Sequence, residues 1–123
     1  TAAYLAGREQ FGRPLSHFQV LQHRMVDMYV ALEEARGAVE AALATLDGDP
    51  GERPAAVAVA RTVAGRAANT VAREAVQLHG GMGVSDEMRV GHLFKRCLVE
   101  ASRHGDADWY RRRFEGLREA RIV

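Results

Sequence analysis

Apolar residues recur along this chain with the period of a helix and hardly anywhere with that of a strand. Phe18, Leu21, Met25, Met28, Leu32, Ala35, Val39, Ala42 and Leu46 stand alternately three and four positions apart. That spacing draws one stripe along a long helix, a seam for packing on other helices as in an antiparallel bundle. Met25 and Met28 within it are read as core filler. The stripe stops at Asp47-Gly48-Asp49-Pro50-Gly51, a concentrated turn signal. Pro54 then falls where the first turn of a second helix belongs. Ala and Val dominate from Ala55 to His79, and Ala60, Ala64, Ala67, Val71, Ala75 and Leu78 form a stripe of small side chains. Small residues let another helix approach closely. Asn69 and Thr70 interrupt this run, either bonding across helices or facing solvent. Farther on, Val90, Leu93, Phe94, Cys97, Leu98 and Ala101 predict a helix from about Glu87 to Ser102, capped by Ser85 or Asp86. His92 lies beside its apolar face and is read as a partly buried structural histidine. Gly105 breaks that helix. Asp106 caps a last one through Trp109, Tyr110, Phe114 and Leu117, with Arg111, Arg112 and Arg113 as a solvated face.

The two joints of this pattern carry the candidate chemistry. Thr1 to Arg8 is helix-compatible but uncapped, and Ala2, Ala3, Leu5 and Ala6 resemble the last turns of a helix. So short a helix is marginal alone because nucleation is costly. The expected fold is therefore an all-α, antiparallel, up-and-down four-helix bundle over residues 1–123, its first helix truncated. The chain is expected to be part of a longer one, with one apolar face incompletely covered. Next, Arg8-Glu9-Gln10-Phe11-Gly12-Arg13-Pro14-Leu15 is a break in which Gly12 and Pro14 set a turn and Ser16 caps the following helix. An Arg and a ring at a helix end can cradle a phosphate and a flat base. They can equally be a solvated cation and a plug for the bundle end. The second joint is Gln77-Leu78-His79-Gly80-Gly81-Met82-Gly83. Gly80 reads as a positive-φ residue just past a helix end. Gly81 and Gly83 keep the backbone bare, so that another molecule can approach, and Gln77 places an amide one turn earlier.

Composition narrows the classes. The length suits a single domain with one core. A net charge of +1 gives no electrostatic case for a nucleic-acid partner. Cys97 is the sole cysteine, so no intrachain disulfide is possible, which fits a reducing compartment. No apolar run approaches a membrane span, and no signal-peptide pattern opens the sequence. A cytoplasmic location is the expectation. There is no Ser/His/Asp order, zinc spacing, phosphate loop or dinucleotide fingerprint.

Taken together, Arg8-x-x-Phe11-Gly12-x-Pro14, Phe18-Gln19, Ala75-x-Gln77-x-x-Gly80-Gly81-x-Gly83 and Glu87 resemble the C-terminal helical domain of the acyl-CoA dehydrogenases. The resemblance covers nearly the whole chain. It implies FAD bound across a subunit interface and α,β-dehydrogenation of an acyl-CoA thioester. It places Arg8 and Phe11 at the pyrophosphate and adenine of a neighbouring subunit's FAD. Gln77, Gly80 and Gly81 would approach the same cofactor, and Leu15 and Gln19 would line the pocket. It further implies a homo- or hetero-oligomer and a flavoprotein that accepts the electrons. The segments Val90–Arg96 and Gly105–Asp108 resemble the small-subunit type of bacterial heteromeric enzymes, implying a heterotetramer and a bulky, dicarboxylic or sterol-derived acyl group. Three positions depart from the family: His104 stands where many members carry the catalytic Glu, and Asp106 and Asp108 replace residues that hold the subunit's own flavin. A histidine can serve as a general base, but the family uses a carboxylate. No catalytic residue is therefore assigned, and the base is expected from a partner subunit or from residues before Thr1. The competing expectation is a non-catalytic helical structural or interaction subunit.

Overall fold

The computed structural model describes residues 1–120 and contains the expected helices. They are α1 (Ala2–Gly7), α2 (Gln19–Ala44), α3 (Arg53–His79), α4 (Arg89–Ser102) and α5 (Ala107–Glu119). The expected all-α bundle with a short first helix is thus what forms. α3 is its axis: α2, α4 and α5 each pack on it, and α2 and α4 flank it without substantial contact between themselves. The alanine-rich stripe makes this possible, because Ala58, Ala60, Ala67, Ala72 and Ala75 are buried on α3. Helices that meet over methyl groups approach closely, so one helix can serve three neighbours. One of these approaches sets Gly65 of α3 against Ala107, the first residue of α5. Thr62 Oγ1 donates to the Ala58 carbonyl of its own helix at 2.8 Å and lies 3.3 Å from the Ala107 carbonyl.

The large side chains gather at the other end of α3. Leu5, Met28, Ala75 and Leu78 form the buried cluster, with Tyr4, Leu15, Leu21, Met25, Val71 and Val90 packed around it. α1 is held there by Leu5, the most deeply buried large side chain at 2 % exposure. Beyond this cluster the seam on α2 is only half covered: Met28 and Ala35 are buried, whereas Leu32, Val39 and Leu46 remain exposed. An apolar groove of about 850 Å³ runs between α2 and α4 over α3, lined by Leu32, Ala64, Ala68, Leu93, Phe94 and Cys97 among others. It is an incompletely covered apolar face, as expected from the sequence.

Several local expectations are corrected. Ser16 does not cap α2; it lies in a 3-10 turn, Leu15–His17, and Phe18 is the N-cap without a side-chain bond. α4 starts two residues later than expected, because Ser85 Oγ takes the Glu87 amide and Met88 becomes the N-cap. His92 is exposed rather than partly buried, and its Nε2 bonds the Asp86 carbonyl. Asn69 accepts from Arg73 one turn along the same helix instead of bridging helices. Asp106 does cap α5, accepting from the Trp109 amide at 2.7 Å.

The glycine loop is a tighter structure than a turn. Gly80 to Val84 forms a 3-10 helix directly after α3. Gly80 makes the change of direction at φ 59°, ψ −141°, a backbone region that only glycine enters freely. Gly83 is buried, and a Cβ placed on it would collide with the Val76 carbonyl of α3. Its bareness therefore serves the fold itself and not an approaching molecule, which corrects the expectation from sequence. Gly81, by contrast, is exposed, and a methyl group added there would meet nothing within 4 Å. Gly83→Ala is expected to destabilise the protein by about 1–3 kcal/mol, the usual cost of overpacking. Gly81→Ala is expected to stay within about 0.5 kcal/mol of wild type. Urea denaturation of both variants checks the contrast, and equal losses would contradict it.

Candidate functional site

Arg8, the residue that ends α1, begins a two-stranded hairpin of Glu9–Gln10 (β1) and Arg13–Pro14 (β2). Glu9 pairs with Pro14 and Gln10 with Arg13, so Phe11 and Gly12 are the two turn residues. Their φ values are 55° and 79°, the left-handed pair required by the turn that suits a two-residue hairpin. For glycine this is free. For a phenylalanine it is a strained conformation costing roughly 1–3 kcal/mol. The ring it carries is 91 % exposed. Among the described residues its one ring contact is edge-on to Phe18, with centroids 6.1 Å apart, and Arg13 covers Phe18 at 4.2 Å. A strained turn that lifts an uncovered aromatic face into solvent is poor packing and a good platform.

Beside the hairpin lies a cleft of about 550 Å³ between α1, the start of α2 and the end of α3. Arg8, Leu15, Gln77, Gly80 and Gly81, expected together from sequence, all line it. The Leu15 amide donates to the Arg8 carbonyl at 2.8 Å and fastens the hairpin's two ends at its rim. Phe11 stands outside the lining at the hairpin tip. Gln19 is also outside it, exposed as the first residue of α2, so its expected place in the pocket wall is not observed. His104 lines neither this cleft nor the apolar groove. It sits exposed in the loop between α4 and α5 at φ 63°, where its carbonyl accepts from the Tyr110 hydroxyl at 3.0 Å.

Two arginines enter the cleft, and their partners differ. Arg24 Nε meets Glu74 Oε2 at 2.6 Å, joining α2 to α3. The Glu74 hydrogen bond, opposed by slight desolvation and aided by the carboxylate's charge, raises the Arg24 pKa above its ordinary value. Arg24 is therefore neutralised in place. The Arg8 guanidinium has no such partner among the described residues. The cleft thus offers one uncompensated cation, an amide at Gln77 and exposed main chain at Gly80 and Gly81. These are the donors an anionic, polyoxygenated ligand needs.

Sequence reasoning missed the cleft's back wall. Tyr4 and His79 stack there with ring centroids 4.2 Å apart and planes 25° from parallel. The Tyr4 hydroxyl also donates to the His79 carbonyl at 3.3 Å. They are 75 residues apart, and no local pattern announces such a pair. The Arg24–Glu74 pair did leave a trace, as opposite charges at the edges of two facing apolar stripes. Among the described residues no cluster of three His, Cys, Asp or Glu side chains is placed to hold a metal ion. None of the described helices is long and apolar enough to cross a membrane.

Comparison with known proteins identifies the family and the fold. The family profile described as acyl-CoA dehydrogenase, C-terminal domain, matches residues 1–113. Acyl-CoA dehydrogenase IpdE2 of Mycolicibacterium smegmatis is 41% identical over 115 residues, which is 94% of this chain and 35% of the relative. The 3-sulfinopropanoyl-CoA desulfinase of Paraburkholderia xenovorans is 34% identical over 113 residues, covering 92% of this chain and 29% of that protein. A solved steroid acyl-CoA dehydrogenase, Tcur3481-Tcur3483 in its G363A variant, superposes with a TM-score of 0.92 at 31% identity. That match covers 99% of this chain and 34% of the other. The chain spans about a third of the length of these relatives.

The Arg24–Glu74 bridge is about one-third exposed on both sides, so solvent screens it and its worth is small. A double-mutant cycle with Arg24→Ala and Glu74→Ala, read by urea denaturation, is expected to give a coupling of about 0.5–1 kcal/mol. A coupling of several kcal/mol would mean that the bridge is far better desolvated than its exposure implies.

Proposed function

This chain belongs to the acyl-CoA dehydrogenase family as its C-terminal domain, and on that footing we propose that it supplies one side of an FAD site shared between subunits. FAD is the cofactor. The observation that carries this reading is the convergence, around one cleft, of an unpaired Arg8, the Gln77 amide and the bare Gly80–Gly81 backbone, with the Phe11 ring presented beside it. Arg8 would take the pyrophosphate and Phe11 the adenine of a neighbouring subunit's flavin, with Gln77 and the glycine loop against the same molecule. The residues fit that group: an unpaired guanidinium suits a diphosphate, an uncovered ring suits a base, and Gly81 leaves room for close approach. When bound, the flavin would accept the β-hydride of an acyl-CoA thioester while a base removes the α-proton.

The base is the open part of the machinery. Sequence count puts His104 in the family's glutamate place, and the chain holds it exposed and away from the two clefts. We infer a heteromeric enzyme in which a partner subunit provides the carboxylate, with a bulky or dicarboxylic acyl-CoA as substrate and a separate flavoprotein as electron acceptor. A cytoplasmic location goes with this reading. The second reading, a helical interaction subunit without chemistry, is favoured by the same His104. It leaves the strained, exposed Phe11 and the unpaired Arg8 without a use.

The experiment is anaerobic flavin reduction by acyl-CoA, comparing the full-length protein alone with the reconstituted pair. Full-length protein alone is expected to be inactive, with activity appearing in the pair. Arg8→Ala is expected to weaken flavin retention by the complex about 10–100-fold, the worth of a charge-assisted hydrogen bond at ~1.5–3 kcal/mol. Gln77→Ala should weaken it less, and His104→Ala should change turnover by less than about tenfold. A positioned general base contributes ~10²–10⁴. Rapid bleaching by the lone protein, abolished in His104→Ala, would overturn the shared-site reading and make His104 the base.

A further inference from the structure

His79 is the only buried polar side chain among the described residues, at 7 % exposure. It ends α3, stacks on Tyr4 and forms part of the wall of both the cleft and the apolar groove. Its Nδ1 lies 2.7 Å from the Ala75 carbonyl. A carbonyl cannot donate, so Nδ1 carries the hydrogen and the tautomer is fixed. In the neutral ring this leaves Nε2 with a lone pair and no hydrogen. Nε2 has no hydrogen-bond partner among the described residues. Yet no buried side-chain nitrogen or oxygen there is both sealed and unpartnered. The acceptor is therefore not sealed within an otherwise buried ring that borders both the cleft and the groove, and its partner is missing.

Resting on the FAD site proposed above, we propose that His79 Nε2 accepts a hydrogen bond from a sugar hydroxyl of the dinucleotide. The chemistry selects the group. A lone pair repels the pyrophosphate oxygens and the flavin carbonyls, so the partner must be a donor. FAD has few donors: the adenine amine, the flavin imide and the hydroxyls of its ribose and ribityl chains. The adenine amine belongs with the base at Phe11, outside the cleft lining. Arg8, which takes the pyrophosphate, lines the same cleft as His79, and the groups covalently next to a pyrophosphate are the sugars. His79 is thereby a specificity residue. It favours a ligand with a hydroxyl beside its diphosphate and disfavours a further anion at that point.

Full-length protein in its native oligomer, stripped of flavin and titrated with FAD, tests this. The analogues are FAD lacking the adenosine 2′-hydroxyl, the adenosine 3′-hydroxyl or the ribityl 4′-hydroxyl, the last being the ribityl hydroxyl nearest the pyrophosphate, which separates the possible sources. One analogue is expected to bind wild type about 3–10-fold more weakly than FAD, the worth of a neutral hydrogen bond. In His79→Phe, which keeps the stack on Tyr4, FAD and that analogue should bind equally, at the wild-type affinity for the analogue. His79→Gln, with an amide oxygen able to reach the Nε2 position, should restore the preference. His79→Asn retains only a donor for Ala75 and should not, so the Gln and Asn pair decides if the Phe variant fails to fold. Undiminished discrimination in His79→Phe and His79→Asn, or no discrimination by wild type against any of the three analogues, would overturn the inference. Arg8→Ala separates the two levels. If Arg8→Ala leaves FAD affinity unchanged, the shared-site reading itself fails; if it weakens binding while the His79 variants do not, only the role of His79 fails.

Discussion

Everything in this domain leans on the smallness of one helix face. α3 must touch α2, α4 and α5 at once, and only methyl groups and Gly65 let three helices come that near. Such a surface buries little area per residue. A methyl contributes about 0.8 kcal/mol on burial, so the large side chains have to be concentrated elsewhere. They are: Leu5, Met28 and Leu78 gather at the C-terminal end of α3. That is also where the chain stops being helical and the cleft opens. The stiffest packing and the candidate site thus share an address. Residues such as Leu78 and Gly83 hold the backbone from which Gln77, Gly80 and Gly81 face outward.

The sequence made this architecture readable wherever a periodic pattern reflected local packing. The small-residue stripe on α3 and the Asp106 cap appear in the structure as read, and the seam on α2 does in part, at Met28 and Ala35. The misreadings share a cause, which is competition for main-chain groups. Ser16 and Ser85 looked like caps, but a 3-10 turn absorbed the first and a local bond to Glu87 the second. Gly83 looked like an opening for a visitor and proved to be a seat for Val76. No pattern of neighbouring residues announces that a carbonyl one turn or more away will fold back onto a glycine.

The site was legible in a different way. Its residues were named by resemblance, and the fold brought five of them around one cleft. What resemblance did not supply is the sorting of the charges. Arg8 and Arg24 are indistinguishable in a string of letters, and only the position of Glu74 shows which one is already satisfied. Tyr4 and His79 were invisible because their contact exists only after segments 75 residues apart have met. Gln19 marks the opposite limit, a position carried over by similarity that α2 turns toward solvent outside the pocket wall.

The hairpin has a further consequence for association. A flexible loop bearing an aromatic ring would lose roughly 1–2 kcal/mol of backbone entropy for every residue it had to order around a partner. Here the two-residue turn has already surrendered that freedom during folding, with Phe11 and Gly12 locked left-handed between paired strands. The main chain that carries the ring is set in advance, so less of an encounter there is spent on ordering the backbone. Rigidity of this kind slows departure more than it speeds arrival. A chain that holds one side of a shared ligand in this manner would act as a latch, lengthening residence while leaving capture to the other side.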